Sequence, residues 1–147
     1  MKRVFICSPY RGDVERNLKA ARKHARMAAI IGYCPIAPHL FFPQFLNDKD
    51  PEERIQGITL GVEQMKICDE VWVFGGHISN GMAYELEKAK ELKIPVRLYD
   101  NEGNRINPAT MMIDDRISDA YRNAIYGLEF VLSLIHISEP TRRTPIS

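Results

Sequence analysis

A parallel α/β sheet with helices packed on both faces is the fold class this sequence predicts, and three observations predict it. Short apolar runs at residues 4–7, 33–37, 70–74 and 95–99 have the length and composition of buried strands. Longer stretches between them carry apolar residues at helical spacing. The two kinds of segment alternate strictly, with intervals long enough for right-handed helical crossovers and too long for hairpins.

Val4-Phe5-Ile6-Cys7 is wholly apolar and reads as a central strand. The loop Ser8-Pro9-Tyr10-Arg11-Gly12 follows, and Asp13 is a natural N-cap for a long helix ending near Gly32. Leu18, Ala21, Ala25 and Ala28 share one face of that helix, and the small alanines allow it to lie close to the sheet. Tyr33-Cys34-Pro35-Ile36-Ala37 is the second strand, placed at an edge by Pro35, which has no N–H to give to a ladder. Residues 38–46 form an aromatic loop with prolines near both ends. Asp50-Pro51-Glu52-Glu53 then combines an N-cap, a proline at the first helical position and a glutamate at the third, so a helix runs to about Ile67. Residues 70–74 are the third strand, Gly75-Gly76 a turn, 82–92 a helix and 95–99 the fourth strand. Residues 110–131 read as a weaker helical stretch leading toward a fifth strand.

The last sixteen residues read differently. Leu132 to Arg142 resembles, residue for residue, one reading frame of a transposon-type DNA sequencing adapter. Residues 132–147 are therefore expected to be a read-through artefact, leaving a single domain at 1–131 whose natural chain continues past Val131. Without that tail, the 20 basic and 19 acidic residues of the whole chain balance at 18 each. A neutral domain gives no electrostatic case for nucleic acid or a membrane surface as partner. The basic cluster at residues 16–26 reads as the solvated face of a helix. No segment approaches the ~20 apolar residues that span a bilayer, and no secretory leader is evident. Cys7, Cys34 and Cys68 are odd in number, widely spaced and in apolar surroundings, as expected of buried, reduced thiols in a cytoplasmic protein. There is no paired-ligand spacing for a metal and no Walker loop, so neither a metal nor an organic cofactor is expected.

Residues 78–86, Ile-Ser-Asn-Gly-Met-Ala-Tyr-Glu-Leu, carry the most chemistry. They follow a strand and a glycine turn and open a helix, which places the helix N-terminus at the carboxyl edge of the sheet, where ligands bind in open α/β folds. Glu85 lies about one turn in, close to whatever docks there. Ser79 and Gly81 could equally be no more than an N-cap and a packing glycine. Tyr10 and His39 could be satisfied loop residues, and Phe41, Phe42 and Phe45 either stack on a ligand or pack among themselves.

Residues 3–100 resemble the nucleoside 2-deoxyribosyltransferase-like superfamily, and most of all its small bacterial and phage branch. The matching pieces are Phe5-Ile6-Cys7-Ser8-Pro9-Tyr10-Arg11-Gly12, Asp69 before the third strand, and Ser79-x-Gly81-x-x-x-Glu85. The resemblance implies a flavodoxin- or Rossmann-like three-layer sandwich with a four- to five-stranded parallel sheet. It implies that Glu85 attacks the anomeric carbon of a (deoxy)nucleoside or nucleoside 5′-monophosphate, forms a covalent glycosyl-enzyme and expels the base, as in retaining glycosidases. Asp69 would protonate or hydrogen-bond the departing base, and Tyr10 would orient Glu85. Ser79 and the amides of Asn80 and Gly81 would hold a sugar hydroxyl or a 5′-phosphate. Ser8, Arg11, Gly12 and His39 complete the implied substrate-binding set, Arg11 as a cation suited to phosphate and His39 as a contact to the base. A homodimer or higher homo-oligomer is also implied. The alternative is a non-catalytic nucleotide-binding sensor with the same cradle.

Overall fold

The structure, a computed structural model, describes residues 1–131, so the adapter-like stretch at 132–147 lies outside the described residues. In chain order the elements are β1 (Arg3–Cys7), α1 (Val14–Ile30), β2 (Cys34–Ile36), α2 (Pro38–Phe41), a 3-10 turn (Phe42–Gln44), α3 (Pro51–Met65) and β3 (Glu70–Phe74). They continue with β4 (His77–Ile78), α4 (Asn80–Glu91), β5 (Val96–Tyr99), a second 3-10 turn (Pro108–Thr110), β6 (Met112–Ile113) and α5 (Asp119–Tyr126). Four strands form a parallel sheet in the order β2-β1-β3-β5, with helices on both faces: the expected three-layer α/β architecture. Pro35 does lie on an edge strand.

Alternation along the strands divides the core in two. Phe5, Cys7, Val71, Val73, Val96 and Leu98 point to the face covered by α3, α4 and α5, where Met65, Met82, Leu86 and Ile125 meet them. Val4, Ile6, Trp72, Phe74 and Tyr99 point the other way, toward Ala28 and Met27 of α1. The helix starts follow their caps. Asp13 accepts from the N–H of Arg16 at 3.2 Å, and Asp50 accepts from that of Glu52 at 3.0 Å.

Three local expectations change. The aromatic segment after β2 is not an open loop but the short α2 and its 3-10 turn, because Pro38 sits at a first helical position and its neighbours are apolar. The weak helix expected over 110–131 shrinks to the eight residues of α5, since β6 pairs in parallel with β4 and removes the first part of that stretch. The expected lead toward a fifth strand is visible at Phe130, which bridges Val96 in parallel, with Val96 N–H donating to Glu129 O at 2.8 Å and Val131 N–H donating to Val96 O at 2.8 Å. Cys34, expected to be buried, is only half-buried.

On α1 the buried residues are Ala21, His24 and Ala28, so a histidine occupies the centre of the apolar face. Its ring stacks on Phe74 with centroids 3.9 Å apart and planes 7° apart, and neither ring nitrogen has a hydrogen-bond partner among the described residues. Desolvation first, and Lys23 second, lower its pKa from 6.5 to about 4. The unfolded chain therefore takes up a proton near pH 6.5 that the folded chain refuses until about pH 4. The native state loses stability as pH falls across that window. A His24→Leu variant is expected to unfold at a lower pH than the wild type, measured by circular dichroism during acid titration. An unchanged midpoint would show that His24 does not drive acid unfolding.

Candidate active site

A cavity of about 920 Å³ opens at the carboxyl edge of β1, beside the point where the chain order reverses between β1 and β3. This is the switch-point crevice of open α/β sheets, and the volume is at the upper end of the ~300–1,000 Å³ usual for ligand sites. Its walls are the β1–α1 loop, the α2 segment, one face of α3, the start of α4 and the stretch after β6.

The start of α4 is built by its cap. Ser79 is extended and its hydroxyl accepts from Met82 N–H at 3.4 Å, so its oxygen is already engaged in holding the helix. The amides of Asn80 and Gly81 are first-turn donors with no protein acceptor among the described residues, and both residues are exposed on the cavity wall. A Cβ placed on Gly81 would meet no protein atom within 4 Å. No packing constraint within the protein requires glycine there, whereas a ligand approaching the helix end would use the space. Gly81→Ala is expected to stabilise the fold by roughly 0.5–1 kcal/mol, as Gly→Ala does in helices, while weakening any ligand that docks on the helix end. Thermal denaturation of variant and wild type, alone and with candidate ligands, separates the two effects, and undiminished ligand shifts would exclude close contact at this residue.

Glu85 lies on the cavity wall, partly exposed, one turn deeper. Its Oε1 accepts from the thiol of Cys7 at 3.5 Å. Desolvation raises the carboxyl from 4.5 to about 8, and the Cys7 hydrogen bond only partly opposes this. A raised carboxyl pKa means that the native state is penalised as pH rises from 4.5 toward 8, because the unfolded chain ionises first. Glu85→Gln should therefore be more stable than the wild type at pH 8, with the difference shrinking toward pH 4.5, as followed by melting temperature. Equal melting curves at every pH would mean that Glu85 ionises freely.

Two expected roles are not met by the geometry. Tyr10 does not hold Glu85; its ring stacks on His39 with centroids 5.0 Å apart, and Cys7 occupies the orienting position. Asp69 is not in the cavity at all. It precedes β3 at the amino edge of the sheet, where its carboxylate accepts from Arg3 N–H at 2.7 Å. Glu85 is bonded to the far end of β1, at Cys7. Four strand steps separate the two anchoring points, roughly 13 Å at ~3.3 Å per residue. Adjacency to β3 in sequence placed Asp69 next to a site-bearing strand, but at its wrong end.

The other expected residues do meet around the cavity. Ser8 is buried at the end of β1, and Gly12 shapes the next loop at φ +97°, where a side chain would be strained. Arg11 lines the same wall but is ion-paired with Asp48 at 3.7 Å. His39 is held neutral, its pKa lowered to about 4 by desolvation against the opposing charge of Asp48. Phe42 lines the cavity, while Phe41 and Phe45 are exposed and packed edge-on against it and each other.

Sequence reasoning missed several wall residues. Asp48 lies between Arg11 and the Tyr10–His39 pair; its signal was a carboxylate in the loop that follows a parallel strand. Asp114, Arg116 and Tyr121 were hidden by the helical reading of 110–131. Asp114 N–H donates to Ile78 O at 3.2 Å, which fixes it beside the start of α4, and its carboxylate accepts from Arg116 at 3.1 Å. Arg116, by hydrogen bond and charge, holds Asp114 down at about 2.

Cys68 donates to Gln64 O at 3.4 Å, and burial followed by the charge of Asp69 pushes its pKa to about 12, which keeps it a thiol. Among the described residues no group of three or more acidic, histidine or cysteine side chains is arranged to hold a metal ion, and no helix is long and apolar enough to cross a membrane.

Two solved structures share this architecture. A 2-deoxyribosyltransferase from the psychrotolerant bacterium Bacillus psychrosaccharolyticus, characterised as a biocatalyst for nucleoside synthesis, matches with a TM-score of 0.57 and 18% identity over 84% of this chain and 90% of its own. A conserved protein from Enterococcus faecalis matches with a TM-score of 0.51 and 15% identity over 98% of this chain and 99% of its own. At such identities the likeness establishes a common fold, that of a nucleoside deoxyribosyltransferase, and nothing finer. No curated protein matches the chain. A family model does match, across residues 2–99, and the chain thereby belongs to the family described as a domain of unknown function (DUF7768).

Proposed function

We propose that the protein cleaves or transfers the N-glycosidic bond of a (deoxy)nucleoside or nucleoside 5′-monophosphate through Glu85. The observation that carries this reading is a desolvated carboxyl on the wall of a cavity roomy enough for a nucleoside, one turn from two helix amides without a protein acceptor among the described residues. A carboxylate there can capture an oxocarbenium-like carbon as the base departs. The two amides would take a sugar hydroxyl or phosphate oxygen. Tyr10, His39 and Phe42 offer an aromatic wall for the base, and Asp48 takes the place that Asp69 cannot fill, as the carboxylate facing that base. No cofactor is required for such chemistry. Three free thiols fit a reducing compartment such as the cytoplasm, and a homo-oligomer fits the family resemblance.

The test is chromatographic detection of free base from a panel of nucleosides and 5′-monophosphates, with and without an acceptor base. Release that requires an acceptor identifies a transferase, and release without one a hydrolase. Because the nucleophile must be ionised, kcat/KM should rise with pH and level off above about 8. A rate that falls across that range would make Glu85 an acid instead.

One observation favours a second reading, a non-catalytic nucleotide sensor of the same fold: the acid implied by family resemblance is at the opposite sheet edge. Ligand-induced thermal shifts without base release from any panel member would select it.

A further inference from the structure

We propose that Cys7 is the positioning residue of Glu85, holding Oε1 so that Oε2 is the oxygen presented to a ligand. The inference deepens the glycosidic reading and rests on it for its catalytic consequence, but the contact itself can be tested without turnover.

Cys7 is the last residue of β1, fully buried and paired in register with Val73. Alternation along β1 puts Cys7 on the same face as Phe5, the face that α4 covers, so the thiol is aimed at the helix by the sheet itself. The S–O distance of 3.5 Å is hydrogen-bonding range for a sulfur donor. Burial first, then the charge of Glu85 and this hydrogen bond, push the Cys7 thiol well above its ordinary pKa, so it remains a donor at all working pH values. Oε2 has no protein partner among the described residues.

The other charged groups around the cavity leave this contact in control. From the β1–α1 loop, Arg11 is paired with Asp48 of the segment before α3. From the stretch after β6, Arg116 is paired with Asp114. On α3, Glu53 accepts from Asn47 N–H and Arg54 lines the wall. His39 is neutral, burial and then the charge of Asp48 raise the Tyr10 phenol so that it stays uncharged, and Tyr84 and Tyr121 also line the wall. None of these groups donates a hydrogen bond to Glu85. A thiol is a weak donor, so exchanging it should change both the orientation and the ionisation of the carboxyl.

The experiment is infrared spectroscopy of the whole protein across pH, comparing wild type, Glu85→Gln, Cys7→Ser and Cys7→Ala. Subtracting Cys7→Ser from wild type isolates the S–H stretch of Cys7 from those of the other two thiols. Its band should shift as the Glu85 carboxyl band titrates, and the shift should be absent in Glu85→Gln. The stronger hydroxyl donor of Cys7→Ser should lower the Glu85 midpoint by about one unit, and Cys7→Ala should raise it. If turnover is found, the rising limb of kcat/KM should move with these midpoints. An S–H band indifferent to pH and to Glu85→Gln, or one carboxyl midpoint common to all Cys7 variants, would overturn the proposal. Should Cys7→Ala fail to fold, Cys7→Ser and the wild-type band carry the test alone. Shifting bands with no base release from any substrate would uphold the positioning role and sink the glycosidic one.

Discussion

Replacing Glu85 by Gln should cut release of free base by at least about 10³-fold, the loss typical when a nucleophile or essential acid–base group is removed. The substitution keeps the side chain's shape and one carbonyl oxygen able to accept from Cys7, so the cavity should persist. On the proposed glycosidic reading nucleoside affinity should change little, because the carboxyl would act on the anomeric carbon as it becomes positive, in the transition state more than in the ground state. The measurement pairs chromatographic turnover with calorimetric binding of the same nucleoside. Turnover that survives in Glu85→Gln would remove Glu85 from the chemistry. Lost binding with the fold intact would recast it as a recognition group.

Glu70→Ala should destabilise the fold by about 3 kcal/mol or more, the cost of breaking a buried ion pair from one side. Glu70 and Arg97 are 4% and 7% exposed, and the carboxylate accepts from Arg97 Nε at 2.7 Å and from the Trp72 indole at 2.9 Å. Removing Glu70 takes a charge partner from a guanidinium that stays inside the protein and the acceptor from a buried indole. Desolvation pushes the Glu70 carboxyl up, yet hydrogen bonds from Arg97 and Trp72 and the charges of Arg97 and Lys2 outweigh it and hold the pKa below 4.5. The pair's contribution is thus complete above the ordinary carboxylate range and disappears as pH falls through the lowered folded value. Urea denaturation at neutral pH and at pH 3 measures this: the gap between variant and wild type should narrow in acid. A difference below about 0.5 kcal/mol at neutral pH would show that the pair contributes nothing net.

The succession of strands and helices and the helix starts were legible because they depend on local rules. Asp13 and Asp50 cap the helices that their positions foretell, and Pro35 marks the edge. Glu85 was legible because its place follows from a strand, a turn and a helix start. Asp69 was misplaced because the resemblance was followed where position spoke against it: a residue just before a strand of a parallel sheet lies at the amino edge, and its bond to Arg3 N–H holds it there. His24 was missed because an apolar face is read by residue type, whereas an aromatic ring on Phe74 can occupy it while its nitrogens go unpaired. Cys7 was read as a core thiol, which it is; its contact with Glu85 joins residues 78 positions apart and has no signature in either segment.

The outer margin of β5 bears on how copies of this chain could join. Val96 N–H donates to Glu129 O and Val96 O accepts from Val131 N–H, Leu98 O accepts from Ile106 N–H, and Tyr99 bridges Arg105. At the opposite margin, β2 is three residues long and contains Pro35. Neither margin offers a long unclaimed run of backbone donors and acceptors onto which another sheet could zip. Among the described residues, contacts between copies would then lie on helix and loop surfaces, with geometry set by side chains and not by continuing this ladder. Such contacts can be altered one residue at a time without touching the sheet.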